Sequence, residues 1–414
     1  HAQDEAPLLA SQPEKWIVPQ AYRTFGLDAN ALRGILNRAP AEFTAAAAAS
    51  PATLTIPMPD GTFARFTIYD SPIMEVGLSA KFPDIKTYSG QGIDDPTATI
   101  RFDLTPNGFH AMVIAAGSTV YVDPFSRGDV SHYISYDKRD YKKSGEIPHC
   151  LLDDHAEPFS APESRSSAAD TPGPLTPVGT TLRTYRLAVA ADVEYTAFHG
   201  GTVPLALAAV VTTINRVTGI YEREFDARLV LVSNESSIIY TAEPDPYTNS
   251  SPSTLLTENQ ANLDAVIGNA NYDIGHVFTT GGGGLASLSV VCTAGSKARS
   301  ETGSPVPVGD PYDVDYVSHE MGHQFGGRHT FNGTTSNCGG GNRSSTAAYE
   351  PGSGSTIMAY AGICGAEDLQ PNSDDYFHTR SFDEIVAYTG VGGGGSACPV
   401  STPTGNLPPT VDAG

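Results

Sequence analysis

The run His319-Glu320-Met321-Gly322-His323-Gln324-Phe325-Gly326-Gly327-Arg328-His329 constrains this chain more than any other stretch. On a helix, His319 and His323 stand four residues apart, so their imidazoles leave one face and can grip one ion. Glu320 lies beside them in the pattern H-E-x-x-H. There a carboxylate serves as the base that takes a proton from water, not as a ligand. The helix must then stop, because a third donor has to arrive from another direction. Gly326 has no Cβ and can take the left-handed conformation that ends a helix. The turn returns His329 as the third ligand. Three nitrogens leave a fourth position open, which is the arrangement of a catalytic zinc site and not of a structural one. A bare H-E-x-x-H arises by chance on surface helices, but the extension through Gly326 and His329 leaves that reading little room.

Length and charge bound the rest. With 414 residues, two or three domains are expected. The formal charge of −22 argues against nucleic-acid or anionic-membrane partners and fits a dispersed, exported monomer. No segment approaches the roughly 18–20 apolar residues that span a bilayer. The alanine run Ala45–Ala49 is too short, and residues 205–211 read as part of an amphipathic helix. The chain begins at His1 without a basic leader, so a signal peptide already removed is the expectation. Five cysteines (Cys150, Cys292, Cys338, Cys364 and Cys398) show no C-x-x-C spacing, and their odd number leaves one thiol over.

Along the chain, residues 1–40 read as helical and polar. From residue 52 the pattern turns to strands, with hairpin signals at Asp60-Gly61 and Asn107-Gly108. His110 and His132 read there as ordinary structural histidines. Residues 153–182 have the Ser/Ala/Pro/Glu composition of an exposed, easily cut linker. Strand and helix patterns then alternate: a strand at 183–191 with Asp192 as a cap, a helix at 204–221, a strand at 227–232, a helix at 254–267 and a strand at 273–278. That order implies a mixed, mostly parallel sheet. The glycine run at 281–284 lacks the lysine and following helix of a phosphate loop. It reads instead as a turn into an edge strand at 285–291, which an extended peptide can join. Asp313 or Asp315 is expected to cap the zinc-binding helix, and Ser381-Phe382-Asp383-Glu384 to form a capping box for the last helix. Two acidic loops suit calcium, Glu243/Asp245/Asn249 and Asp310/Asp313/Asp315, although such loops are more often merely solvated.

After a Gly-rich loop, Thr356-Ile357-Met358-Ala359-Tyr360 resembles the Met-turn of the metzincin metallopeptidases, with Met358 beneath the metal. Further features point the same way: Ala190-Ala191-Asp192, the Asn215-Arg216-Val217 helix leading to Tyr221, and Gly284-Leu285-Ala286 running into Cys292. Residues 183–400 are therefore similar to a metzincin catalytic domain of the bacterial reprolysin-like (adamalysin-type) zinc endopeptidases. The resemblance implies an α+β/α/β fold, a mixed twisted sheet with helices around an active-site cleft. It implies a β-rich prodomain over residues 1–152 and an activation site within 153–182. Residues 401–414 read as a linker to a further β module. Thr330-Phe331 departs from animal reprolysins, which have Asp after the third histidine, and keeps a pappalysin-like relative open.

By that resemblance the chain is a secreted zinc endopeptidase in proenzyme form, acting on proteins or peptides. His319, His323 and His329 hold zinc, Glu320 is the base, and Gly284, Leu285 and Ala286 receive substrate. Tyr360 either steadies the oxyanion or lines a pocket, and the second role is favoured. The resemblance pairs Cys292 with Cys398 and leaves Cys338 to pair with Cys364. Cys150, the leftover thiol just before the linker, becomes a fourth zinc ligand in a latent form, with the prodomain as intramolecular inhibitor. The competing class is a non-enzymatic adhesion or inhibitory module on the same scaffold. Such modules typically lose the glutamate or a histidine, and here all four residues are present.

Overall fold

The computed structural model describes residues 8, 14–141, 150–151 and 178–406. Most of the expected cleavage linker, and the expected start of a further β module after residue 406, lie outside the described residues.

The alternating apolar segments before residue 141 form one antiparallel sheet. In chain order the elements are β1 (Arg23–Gly26), α1 (Ala29–Leu36), α2 (Ala45–Ala49), β2 (Ala52–Pro57), β3 (Phe63–Asp70), α3 (Val76–Lys81), β4 (Lys86–Gly92), β5 (Thr99–Thr105), β6 (Gly108–Ala115), β7 (Ser118–Pro124) and β8 (His132–Asp137). The spatial order is β1-β8-β7-β6-β5-β4-β3-β2. Both expected hairpins are present, the second tightened by Gly108 at φ 116°. Within residues 14–40 the helical reading holds for α1, capped by Asp28. Residues 23–26 instead pair with β8 and close the sheet. Side chains alternate across the pleat. Val113, Val120 and Val122 face one core with Leu32 and Leu36 of α1, while Met112, Ile114 and Tyr121 face the second half of the molecule.

That second half contains β9 (Thr181–Ala191), α4 (Val193–Phe198), α5 (Val203–Phe225), β10 (Ala227–Leu231), α6 (Pro252–Leu263), β11 (Ile274–Thr279), β12 (Gly283–Ala286), β13 (Ser300–Gly303), α7 (Asp310–Tyr312), α8 (His319–Gln324), α9 (Thr379–Thr389) and β14 (Val400–Pro403). The sheet order is β10-β9-β11-β13-β12. The first four strands are parallel and β12 is antiparallel, as the strand–helix alternation implied. β14 pairs with the start of β9, so the sheet continues past residue 400, where a linker was expected.

α5 lies between the two sheets, with Gly219 against Arg101 and Met112 of the first. It is long and apolar enough to cross a bilayer, although the sequence reading found no such segment. Thr212, Thr213 and Asn215 break up its apolar run in the sequence, and in the fold all three are buried.

Buried charges join the halves. Arg216 of α5 reaches Asp123 of β7 at 2.5 Å and Asp313 at 2.8 Å. Lys138 lies 2.8 Å from Asp310 and 2.7 Å from Asp375. This corrects two expectations. Neither Asp313 nor Asp315 caps a helix: α7 starts after Gly309 without a side-chain cap, and a π-helical turn, Asp313–Ser318, joins it to α8. Nor do Asp310, Asp313 and Asp315 form a calcium cradle, because they face two different protein cations. Ser381 does not open the last helix either. α9 begins at Thr379, with His378 Nδ1 accepting from Arg380 N, and Ser381 is buried within it.

Arg216→Met would leave two buried carboxylates without their cation, and breaking a buried pair this way typically costs about 3–5 kcal/mol. Chemical denaturation of the intact chain should show a loss of that order.

Candidate metal centre

α8 presents His319 and His323 on one face, and the chain around its C-terminus turns tightly. Gly326 takes φ 102° and donates to His323 O at 2.9 Å, while Gly327 N returns to Gly322 O at 2.9 Å. Ser289 N and Val290 N satisfy the His323 and Gln324 carbonyls, each at 3.0 Å. Those contacts draw the backbone away from β13, so the edge strand stops at Ala286 and does not reach residue 291 as expected.

The three histidines are oriented by main-chain carbonyls. His319 Nδ1 donates to Ile357 O at 2.7 Å, His323 Nδ1 to Gly327 O at 2.7 Å, and His329 Nδ1 to Asn342 O at 2.6 Å. A carbonyl can only accept, so each Nδ1 carries the proton and each Nε2 offers a lone pair. The three Nε2 atoms lie 3.1–3.2 Å apart. Lone pairs in that arrangement repel one another unless a cation lies between them. Zn–N bonds of about 2.0–2.1 Å would give tetrahedral edges of about 3.3–3.4 Å, so the donor set fits zinc. Burial and the two neighbouring imidazoles hold His323 well below its usual pKa, in the neutral form that coordinates.

Cys150 is buried at the same point. Its Sγ lies 3.5 Å from His323 Nε2 and donates to Glu320 Oε2 at 3.6 Å. This sulfur and one nitrogen of each histidine lie within 4.8 Å of one another. Two backbone contacts hold the segment: Tyr360 Oη donates to Cys150 O and Leu151 N donates to Gly284 O, both at 2.8 Å. Glu320 is fully buried, and burial pushes its carboxyl up to about 8.

Met358 lies beneath α8, where a Cβ on Gly322 would run into its sulfur. Tyr360 is also buried, stacked on Phe331 at 4.4 Å with its ring 4.8 Å from that of His329. Glu350, which the sequence reading missed, accepts from Thr330 Oγ1 at 2.5 Å, from Ser355 N at 2.7 Å and from Thr356 N at 3.1 Å. It thereby ties the chain after His329 to the turn that carries Met358. Thr330 stands where animal reprolysins have Asp, and its hydroxyl is the group that reaches Glu350.

The disulfides join Cys292 to Cys398 and Cys338 to Cys364. The second closes the loop whose Asn342 carbonyl orients His329. Of the other acidic loop, Glu243 and Asp245 lie with Glu194, while Asn249 turns away to accept from Gly281 N at 2.7 Å. Acidic groups at the surface commonly cluster without an ion, and nothing further at this one points to calcium.

Stripped of metal by a chelator, the chain should regain one zinc per molecule and a higher Tm when zinc is restored. His323→Ala should abolish stoichiometric uptake, and an unchanged zinc content in that variant would remove the centre.

No curated protein matches this sequence. Among solved structures it is similar to the crystal structure of metalloproteinase-II from Bacteroides fragilis, with 12% identity and a TM-score of 0.47 over 87% of this chain and 96% of that one. The family profile described as metallo-peptidase family M12B, reprolysin-like, matches residues 181–387, half of the chain. Taken with the histidine centre and Met358 beneath it, that match places the chain in the M12B reprolysin-like metallopeptidase family.

Proposed function

We propose that this chain is a secreted zinc endopeptidase in a latent state. The observation that carries the reading is the convergence of three neutral imidazole lone pairs beside a buried glutamate. His319, His323 and His329 would hold the ion. Zinc bound there supplies Lewis acidity, polarising a carbonyl and lowering the pKa of water to about 7.

The remaining work falls to the chain's own groups. Glu320 takes the proton from the attacking water and returns it to the leaving amine. The backbone of Gly284, Leu285 and Ala286 aligns an extended peptide by adding it to the sheet edge. Leu151, whose N–H reaches Gly284 O at 2.8 Å, occupies that edge in the uncut chain.

Latency rests on Cys150. Its sulfur is 3.5 Å from His323 Nε2, against about 3.6 Å for a sulfur–nitrogen edge of a tetrahedral zinc site. As a thiolate, Cys150 would hold the ion together with the three histidines and keep water from it. Residues 1–152 then act as an inhibitory prodomain, and cleavage between about residues 153 and 182 lets Cys150 leave. The two disulfides favour an oxidising, extracellular setting.

The linker-cut chain should hydrolyse casein or gelatin, and silence there would favour a non-enzymatic module. Glu320→Ala should keep its zinc and lose about a thousandfold or more in turnover, the scale expected when a general base that activates water is removed. Near-normal proteolysis by that variant would overturn the role of Glu320. Cys150→Ala should be active before any cleavage or process itself rapidly. If the intact variant stays as silent as its parent, the cysteine does not hold the latent state.

A further inference from the structure

Resting on the endopeptidase reading, we propose that Gly284 is a positioning residue for the reaction: its missing side chain is the seat of the Glu320 carboxylate. Gly284 lies on β12, paired with Thr302 of β13. A Cβ built there would be 2.8 Å from Glu320 Cδ and 2.5 Å from Tyr316 Cε2, and nearer still to Glu320 Oε1. The backbone gives no reason for glycine at this position. Its neighbour Gly283 sits at φ 123°, in the region that favours glycine, but Gly284 does not. Space for the Glu320 carboxylate, with the Tyr316 ring beside it, is the steric reason that remains.

Glu320 is fully buried, and its Oε1 takes no hydrogen bond. Its other oxygen meets only the weak Cys150 thiol donor, at 3.6 Å. Shape therefore fixes this base more than hydrogen bonding does. Gly284 stands in front of the carboxylate, and Tyr316, one helical turn earlier, stands beside it. The same residue offers its carbonyl to the strand in the cleft, through Leu151 N at 2.8 Å. Gly284 thus sets two things at once: the line of the bound backbone, and the depth at which the base sits behind it.

The atoms that an alanine side chain would strike are the carboxylate of Glu320 and the ring edge of Tyr316, both of them side-chain atoms. Side chains swing aside where backbone would have to shift, so the fold is retained. For Glu320 that swing removes the base from the water it must deprotonate, and a displacement near 1 Å can cost about 10²-fold in rate.

The test uses the zinc-loaded full chain in whichever of its intact, linker-cut or Cys150→Ala forms cleaves a fluorogenic peptide fastest. Gly284→Ala should lower kcat about 100-fold and change KM less than about threefold, with one zinc per chain and a Tm within about 2 °C of the parent. Gly282→Ala, whose added Cβ meets nothing within 4 Å, should match the parent. In a Glu320→Asp background, where the shorter carboxylate no longer reaches the seat, Gly284→Ala should cost less than about threefold more. Retained kcat, a loss confined to KM, lost zinc, a Tm drop beyond about 5 °C, or the same 100-fold cost in the Glu320→Asp background would each overturn the assignment. If none of the three forms cleaves the peptide, the endopeptidase reading fails and this inference with it.

Discussion

Three imidazole lone pairs aimed at one point are the constraint on which the rest of this molecule depends. Each is fixed by a proton given to a main-chain carbonyl, and each carbonyl belongs to a different stretch: Gly327 in the turn after α8, Asn342 in the long loop, Ile357 in the Met-turn. The fold has to bring all three stretches to the same place. Gly326 makes the turn, the Cys338–Cys364 bridge closes the loop, and Glu350 ties the loop's far end to the Met-turn. Hydrogen bonds behind ligating histidines typically matter 10–100-fold in metal affinity. Here they also decide which nitrogen of each ring faces inward.

Position in the sequence made part of this legible. His319, Glu320, His323 and His329 were readable because helical spacing converts sequence distance into direction, and Gly326 because a helix must end somewhere. The strand–helix alternation of 183–278 gave the central sheet for the same reason. What was not legible arises from contacts without periodicity. A carbonyl acceptor carries no side-chain signature, so Asn342 and Ile357 were invisible. Glu350 sits in a Gly/Ser/Asn-rich loop with nothing to mark it as buried. The acidic run 310–315 was misread because its partners, Lys138 and Arg216, lie about 100 residues or more away. Edge strand β12 was placed correctly but drawn too long, since sequence cannot show that residues 289–290 serve the end of α8.

The two cysteine classes follow different physics. Four cysteines sit where chain segments far apart in sequence must be held together. The fifth sits between the Glu320 carboxylate and the His323 imidazole and takes part in neither disulfide. Tyr360 and Gly284 hold the two ends of the peptide group that joins Cys150 to Leu151, so main-chain contacts place the thiol.

The buried charges between the halves make each depend on the other. Arg216 is neutralised by one carboxylate from each half, and Lys138 of the first half meets Asp310 and Asp375 of the second. Neither half alone presents a charge-balanced face, and an orphaned buried charge is worth several kcal/mol. The interior of each half is thus balanced in charge only where the other half lies against it. The interface carries the mark of both halves, much as a casting keeps the shape of its mould.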